Sequence, residues 1–264
     1  MSDTASNAAV RNAAVQGELW SSDPQAWART AECRILPLYE RILQRLQPEP
    51  GTRHLDAGCG AGLFASLAAH TGADVTGLDA AAGLIEYARA QRPGPRYVLG
   101  DLARMPFPDN GFDTVTAFNS VHYAADPRRA LAELARVTAE GGRAVLTVGA
   151  GPDQARSAAL INPLAARGEV PGPFDLTDAA AAREALRDAG FTEATTFDIA
   201  FDVDYTSIAD AVAAQLPAGP VAAAVRHSGR AAVESAFHEL FGPLARADGT
   251  VRMRLVFRCH EARR

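Results

Sequence analysis

The sequence predicts an α/β fold with a doubly wound, seven-stranded sheet that is mostly parallel and has an antiparallel last strand. Two observations predict this fold. Between residues 53 and 150, short apolar runs alternate with helical stretches, which is typical of a parallel sheet covered by helices on both faces. After residue 190, two long alternating runs flank a helical stretch, which indicates an antiparallel strand pair with a helical cap between its members.

The individual elements follow from local signals. Asp23 and Pro24 predict a helix start, Pro37 interrupts that helix, and a second helical piece follows from Leu38 to Leu46. The predicted strands are RHLDA, ADVTGLD, RYVLGD, FDTVTAF, RAVLTVGA, TEATTFDIAFDV and VRMRLVFRCH. The predicted helices between them are LFASLAAH, ending at Gly72, GLIEYARAQ, ending near Pro93, and PRRALAELARVTA, ending at Gly141 and Gly142.

The second half of the chain has a less regular pattern. Residues 150–176 are rich in proline and glycine and predict a long connection that forms part of a substrate wall. Thr177 predicts the cap of a helix that runs to Asp188. We expect one domain over 1–264, with an N-terminal helical lid at 1–48, a ligand-binding core at 50–150, and edge strands with a cap insert at about 206–244 in the remainder.

Composition excludes several classes of function. The net charge of −5 argues against a nucleic-acid substrate, which requires a basic face. All 26 basic residues are arginine, so a Walker phosphate loop and pyridoxal Schiff-base chemistry are excluded. The three cysteines are far apart, so we predict no metal site and a reducing cytoplasm. No apolar run of about 18 residues predicts a membrane span.

The run LDAGCGAG at 55–62 is the most informative motif. Its glycines Gly58, Gly60 and Gly62 permit a tight turn and a close approach of backbone to ligand. A dinucleotide fingerprint places its third glycine where this chain has Leu63, and Asp56 would repel a pyrophosphate. The same carboxylate favours a ligand with an ammonium and a sulfonium group and no phosphate, such as S-adenosylmethionine (SAM).

Other polar residues follow the predicted strands in the same way. Asp79, Asp101 and Asn119 each lie at a strand end, as Asp56 does. Because ligands of open α/β sheets bind beyond the carboxyl ends of the strands, we expect these four side chains to meet in one crevice.

The chain resembles the class I SAM-dependent methyltransferases of the small-molecule type, in particular the ubiquinone and menaquinone biosynthesis group. The resemblance covers roughly residues 50–150 and implies a Rossmann-like fold. It is carried by LDAGCGAG, VTGLDAA, GDLARMPFPDNGFDTV, FNSVHYAADP and EGGRAVLTV.

The resemblance implies a role for each matching residue. Asp56, Gly58, Gly60 and Gly62 would hold the methionine part of SAM. Asp79, with Ala80 beside it, would accept hydrogen bonds from the ribose hydroxyls. Asp101 and Leu102 would lie around the adenine. Asn119 and Ser120 would lie around the methyl group.

His122 and Tyr123 are the candidate catalytic residues. An imidazole that titrates near neutral pH is suited to take a proton from an acceptor hydroxyl or acidic carbon, although a role in shaping the pocket floor explains His122 equally well. Many relatives have a second histidine where this chain has Tyr123. Trp20 and Trp27 are candidates for an aromatic lid over the SAM cation, with core packing as the alternative.

The predicted function is therefore methyl transfer from SAM, with S-adenosylhomocysteine (SAH) as product, to a small hydrophobic or aromatic metabolite, such as one of secondary metabolism. Two alternatives stay open. One is a SAM-binding enzyme that catalyses a cyclisation or decarboxylation without methyl transfer. The other is a nicotinamide-dependent oxidoreductase, which Leu63 and Asp56 disfavour.

Overall fold

A seven-stranded sheet in the order β3-β2-β1-β4-β5-β7-β6 forms the centre of the computed structural model, which describes residues 13–166 and 176–264. Strands β1 to β5 are parallel to one another, and β7 is antiparallel to both β5 and β6. The fold class predicted from the sequence is thus confirmed. The strands are β1 Arg53–Ala57, β2 Asp74–Asp79, β3 Arg96–Leu99, β4 Phe112–Phe118, β5 Thr138–Gly149, β6 Glu193–Tyr205 and β7 Val251–Arg263.

Helices cover both faces of the sheet. The described α-helices are α1 (13–20), α2 Pro24–Ala26, α3 Leu36–Leu46, α4 Leu63–Ala69, α5 Ala82–Gln91, α6 Pro127–Val137, α7 Pro152–Ile161, α8 Ala179–Asp188, α9 Ile208–Gln215, α10 Gly219–Ser228 and α11 Arg230–Phe241. A π turn (Trp27–Ala31) and a 3₁₀ turn (Glu32–Ile35) connect α2 to α3. Further 3₁₀ turns are Val121–Tyr123, Asn162–Leu164 and Gly242–Leu244.

The order of the strands positions a ligand crevice. The chain builds outward from β1 to β2 and β3, then returns to place β4 on the other side of β1. The connections on the two sides therefore diverge between β1 and β4, and this divergence opens a crevice at their carboxyl ends.

Two apolar clusters pack on opposite faces of the sheet. One contains Ile42 and Phe64 together with residues of the cap helices α9 to α11, and the other contains Leu131 and Leu186. Phe237 of the cap is 1% exposed. The three cap helices, which lie between β6 and β7 in the chain, therefore share a core with the sheet.

The predicted end of α6 was wrong. The helix ends at Val137, and β5 begins at Thr138, so Gly141 and Gly142 lie inside a strand. The backbone N–H of Gly141 donates to Arg264 O at 2.9 Å, and Arg264 N–H donates to Gly142 O at 3.1 Å. Pairing with a distant part of the chain thus overrides the local tendency of the two glycines to mark a turn.

Two other boundaries in the second half were also wrong. The predicted connection at 150–176 contains α7 and a 3₁₀ turn, while residues 167–175 lie outside the described residues. Helix α8 begins after Asp178 and not after Thr177, because Asp178 Oδ1 accepts hydrogen bonds from the N–H groups of Ala180 and Ala181.

Near the N-terminus, Pro37 was predicted to interrupt a helix, but it lies in the first turn of α3, where its missing N–H costs no hydrogen bond. Within residues 13–166 and 176–264, no single helix has the length and apolar character to cross a membrane. The helix pair α9 and α10, bent by 96°, passes that test by length and composition only.

Candidate active site

The glycine loop after β1 is held in a conformation that favours glycine. Gly58, Gly60 and Gly62 have φ values of 82°, 55° and 82°. A Cβ added to Gly58 would lie 2.3 Å from Ser120 Cβ, and one added to Gly62 would lie 2.6 Å from Tyr97 Oη. The first glycine thus allows the loop to pack on the segment after β4, and the third allows it to pack on β3.

Asp79 lies at the end of β2, directly beside this loop. Its Oδ2 accepts from the N–H of Gly60 at 2.9 Å, and its Oδ1 accepts from the N–H of Ala81 at 2.9 Å. Burial raises the pKa of Asp79 above its usual range. The two backbone donors fix the carboxylate at the crevice and leave further lone pairs for a ligand.

Residues after β3 and β4 complete the edge of the crevice. Asp101 Oδ1 accepts from the N–H of Ala103 at 2.9 Å. Asn119 has a φ of 48°, and its N–H donates to Thr147 O at 3.0 Å. Ser120 Oγ donates to Ala57 O at 2.8 Å. These bonds fix the turn that follows β4 against the end of β1.

These strand ends line a cavity of about 890 Å³, called the first cavity below. Eight of the predicted cofactor residues lie on its wall, namely Gly58, Gly60, Asp79, Ala80, Asp101, Leu102, Asn119 and Ser120. The structure therefore brings together Asp79, Asp101 and Asn119, three of the four strand-end side chains that were predicted to meet in one crevice.

Asp56 and Gly62 do not line the first cavity. Asp56 is 1% exposed, and its Oδ1 accepts from Thr116 Oγ1 at 3.0 Å. Thr116 in turn lies 3.0 Å from His54 Nε2. Burial raises the pKa of Asp56 to about 7. Asp56 thus lies beneath the glycine loop, inside the sheet, and not on the cavity surface.

Glu32 and Trp27 face the glycine loop from the N-terminal side. No sequence motif indicated Glu32. Glu32 is 1% exposed and its Oε1 accepts from the N–H of Ala61 at 3.1 Å. A Cβ added to Gly60 would lie 3.1 Å from Glu32 Oε1 and 3.4 Å from Trp27 Nε1. Both side chains line the first cavity directly above Gly60.

The first cavity has an acidic wall. Glu32, Asp79 and Asp101 line it, and among its described lining residues there is no arginine. Burial raises the pKa of Glu32 to about 8, with Asp56 adding to the rise and Arg92 opposing it. An anionic ligand such as a pyrophosphate would be repelled here, whereas a cationic ligand would be stabilised.

A second cavity of about 1550 Å³ adjoins the first. The two cavities share Trp20, Trp27, Ile35, Asn119 and Tyr123. Apolar side chains from β5, α7, α10 and β7 form much of the remaining wall, including Val148, Ile161, Val221, Met253, Leu255 and Phe257. Polar side chains, among them Thr30, Arg34, Gln154, Asn162 and Gln215, complete it. The shared residues thus form a partition between an acidic cavity and a largely apolar one.

His122 and Tyr123, the candidate catalytic residues, lie at this partition. His122 lines only the second cavity, and its Nδ1 has no hydrogen-bond partner among the described residues. Burial lowers the pKa of His122 to about 4, so its imidazole is neutral at pH 7. Tyr123 lines both cavities, and burial raises the pKa of its hydroxyl.

The two tryptophans of the N-terminal stretch cover the partition. The rings of Trp20 and Trp27 contact each other edge to face at 4.8 Å, and Trp20 contacts Tyr123 in the same way at 5.4 Å. Their position on both cavity walls agrees with an aromatic cover, and their mutual contact agrees with packing. Both interpretations therefore stay open.

The glycine loop and the strand ends that line the crevice lie within the part of the chain that matches a known family model. The model describes a methyltransferase domain and covers residues 55–146. The predicted resemblance to methyltransferases is thereby confirmed for residues 55–146. The match supports SAM as the cofactor of this segment.

Curated relatives agree with the family match. The chain is 41% identical over 103 residues to a malonyl-[acyl-carrier protein] O-methyltransferase of Serratia marcescens, covering 39% of this chain and 40% of the relative. It is 38% identical over 97 residues to a demethylmenaquinone methyltransferase of Renibacterium salmoninarum, covering 37% and 41%. The chain spans about 40% of the length of these relatives.

A solved structure extends the likeness to the whole fold. The YcgJ protein of Bacillus subtilis superposes with a TM-score of 0.59 at 20% identity, covering 86% of this chain and 97% of that one. At this identity the superposition supports the shared sheet and helix arrangement, including the part of this chain outside residues 55–146.

Proposed function

We propose that this chain binds SAM in the first cavity and transfers its methyl group to a small apolar or aromatic acceptor in the second. The observation that carries the proposal is the juxtaposition of an acidic cavity and an apolar cavity that meet at Asn119 and Tyr123. SAM, when bound, supplies an electrophilic methyl group on a sulfonium. Alignment of acceptor and methyl group then accounts for most of the rate enhancement.

In this proposal the residues of the first cavity hold the cofactor. Asp79 accepts from the ribose hydroxyls, because its carboxylate is fixed at the end of β2 by Gly60 and Ala81. Asp101 and Leu102 lie beyond the end of β3, where the adenine ring would rest. Asp56 supports the loop from beneath, through Thr116 and the sheet.

The second cavity supports an uncharged acceptor. Arg34 is the charged side chain among its described lining residues, and it is paired with Asp210 at 3.1 Å while lying 4.9 Å from the ring centroid of Tyr205. A carboxylate on the acceptor would compete with Asp210 for that guanidinium. Of the substrates named for the two relatives, demethylmenaquinone fits this lining better than a malonyl group.

His122 is proposed to accept a proton from an acceptor hydroxyl. Because its imidazole is neutral and its Nδ1 has no partner among the described residues, it presents a lone pair in a dry, apolar wall. We expect His122→Ala to bind SAH as the wild type does but to transfer methyl groups at least tenfold more slowly to a phenol. Unchanged transfer would assign His122 to the pocket floor.

Binding and turnover test the proposal separately. Titration calorimetry with SAM, SAH and NAD should show heat for the first two, and binding of NAD alone would refute the cofactor assignment. Mass spectrometry with methyl-labelled SAM and a panel of neutral phenols and apolar carboxylic acids should detect methylated phenols. Conversion of a compound without label transfer would instead support the non-methylating alternative.

A matched pair of variants tests the acceptor cavity. Ala158 lines the second cavity on α7, and Ala159 follows it on the same helix without lining either cavity. We expect Ala158→Phe to lower methyl transfer and leave SAH affinity unchanged, and Ala159→Phe to change neither. Equal activity of the two variants would place the acceptor elsewhere.

A further inference from the structure

Two buried polar atoms above the glycine loop lack a hydrogen-bond partner among the described residues. They are the Oε2 of Glu32 and the Nε1 of Trp27. Both side chains line the first cavity, and both heads lie within 3.4 Å of the position that a Cβ on Gly60 would take. A buried polar group without a partner costs free energy, so such a pair indicates a ligand that supplies the missing bonds.

The two atoms have opposite hydrogen-bonding character. A carboxylate oxygen only accepts, and an indole N–H only donates. A ligand that satisfies both must therefore present a donor and an acceptor side by side. The amino-acid end of SAM has this character, because it carries an ammonium group and a carboxylate on one carbon.

We propose that Glu32 and Trp27 form a recognition pair for the amino-acid end of the cofactor, in which Glu32 Oε2 accepts from the ammonium group and Trp27 Nε1 donates to the carboxylate. This inference rests on the proposed function and deepens it. It moves recognition of the amino-acid end from Asp56, which lies beneath the loop, to a segment outside the matched methyltransferase domain.

The placement of Glu32 fits this role. Its Oε1 accepts from the N–H of Ala61, and the backbone N–H of Leu63 also favours the carboxylate, whereas Oε2 has no partner at hydrogen-bond distance among the described residues. Trp27 also contacts Trp20 edge to face, which fixes its indole over Gly60. Cofactor binding would thus tie the N-terminal stretch to the loop at 58–62.

The charged and titratable groups around Glu32 favour a cationic ligand. Arg92 stabilises its carboxylate, whereas Asp56 destabilises it. The other groups that interact with Glu32 are Tyr39, Cys59 and Tyr97. Since burial holds the pKa of Glu32 near 8, an ammonium group that binds at pH 7 should ionise Glu32 and release about one proton per ligand.

Calorimetry with three ligands tests the pair. The ligands are SAH, its decarboxylated analogue, and 5′-methylthioadenosine, which lacks the whole amino-acid end. We expect Glu32→Gln to lower the affinity for SAH by about tenfold or more and to change the affinity for 5′-methylthioadenosine by less than about twofold, because 5′-methylthioadenosine lacks the ammonium group. Trp27→Phe should lower the affinity for SAH and leave the affinity for the decarboxylated analogue unchanged.

Proton release provides an independent measurement. SAH titrations of the wild type at pH 7, in buffers of different ionisation enthalpy, should show release of about one proton. Glu32→Gln should abolish this release. The exposed residue Glu140, on β5, provides a control, because Glu140→Gln is the same substitution at a site far from the loop and should leave affinity and proton release unchanged.

The outcomes separate this inference from the proposed function. If the wild type binds no SAH, the proposed function fails. If it binds SAH but Glu32→Gln keeps the full preference for SAH over 5′-methylthioadenosine, the inference alone is refuted. Should Glu32→Gln fail to fold, Trp27→Phe provides the test instead. If Trp27→Phe lowers the affinity for SAH and for its decarboxylated analogue equally, the proposed recognition pair is refuted.

Discussion

Replacing Glu32 by glutamine should remove much of the pH dependence of stability of the cofactor-free protein. Burial raises the pKa of Glu32 from 4.5 to about 8 in the folded state. A carboxyl whose pKa is raised on folding stabilises the protein at low pH, and this contribution is lost as the pH rises through the folded pKa. The folded protein should therefore lose stability between pH 5 and pH 8, because Glu32 must ionise in a buried site.

The magnitude follows from the same shift. Each unit of difference between the folded and unfolded pKa corresponds to about 1.4 kcal/mol. Ionising Glu32 in the cofactor-free protein thus costs on the order of 5 kcal/mol above pH 8, of which on the order of 3 kcal/mol accrues between pH 5 and pH 8. Asp56, whose pKa rises to about 7, adds a loss of the same sign in both proteins.

Urea unfolding at pH 5 and pH 8 without cofactor measures the effect. The free energy of unfolding of the wild type should fall by on the order of 3 kcal/mol more than that of Glu32→Gln over this range. Glu140→Gln, at an exposed site, should follow the wild type. Parallel pH profiles of the wild type and Glu32→Gln would refute the buried, ionisable state assigned to Glu32.

Three further predictions concern the loop, the cofactor site and the cap. Gly58→Ala should lower both the melting temperature and the affinity for SAH, because the new Cβ would lie 2.3 Å from Ser120 Cβ. Gly141 has a φ of 73° and no atom within 4 Å of an added Cβ, so Gly141→Ala should lower only the melting temperature. A loss of SAH affinity in both would contradict this assignment. Asp79→Ala should weaken the binding of SAH, as measured by calorimetry, by about 1.5 to 3 kcal/mol for each hydrogen bond lost. An unchanged dissociation constant would exclude Asp79 from the site. Phe237→Ala should destabilise the protein to urea by about 3 to 5 kcal/mol, and a loss below 1 kcal/mol would show that the cap does not share the core.

The sequence predicted the parts of the fold that local patterns determine. The run FDTVTAF matches β4 at both ends, and RHLDA matches β1, because buried apolar runs there are bounded by glycine or polar residues. The end of α6 was missed because β5 pairs at Gly141 with Arg264, which no local window contains. The helix α7 was missed because the glycines and prolines around it predict a loop.

The residues of the candidate site show the same difference between what local patterns predict and what they do not. Residues at strand ends, such as Asp79 and Asn119, were predicted to converge because parallel strands end at one edge of a sheet. Glu32 was not, since its contact with Ala61 depends on how the N-terminal stretch folds back over the loop. The sequence signal that remains is a carboxylate beside Trp27 in a helical stretch, and that pattern is also typical of a solvated face.

The position of β7 between β5 and β6 constrains how the protein folds during synthesis. Thirteen residue pairs join β6 to β7, and β6 has its place in the sheet only through them. Until β7 has been synthesised, β6 cannot join the sheet, and the apolar side chains of α9 to α11 that pack with β7 stay exposed to chaperones or to other nascent chains. Completion of the wall around the second cavity, to which Met253 and Leu255 of β7 contribute, must therefore be a late event in folding.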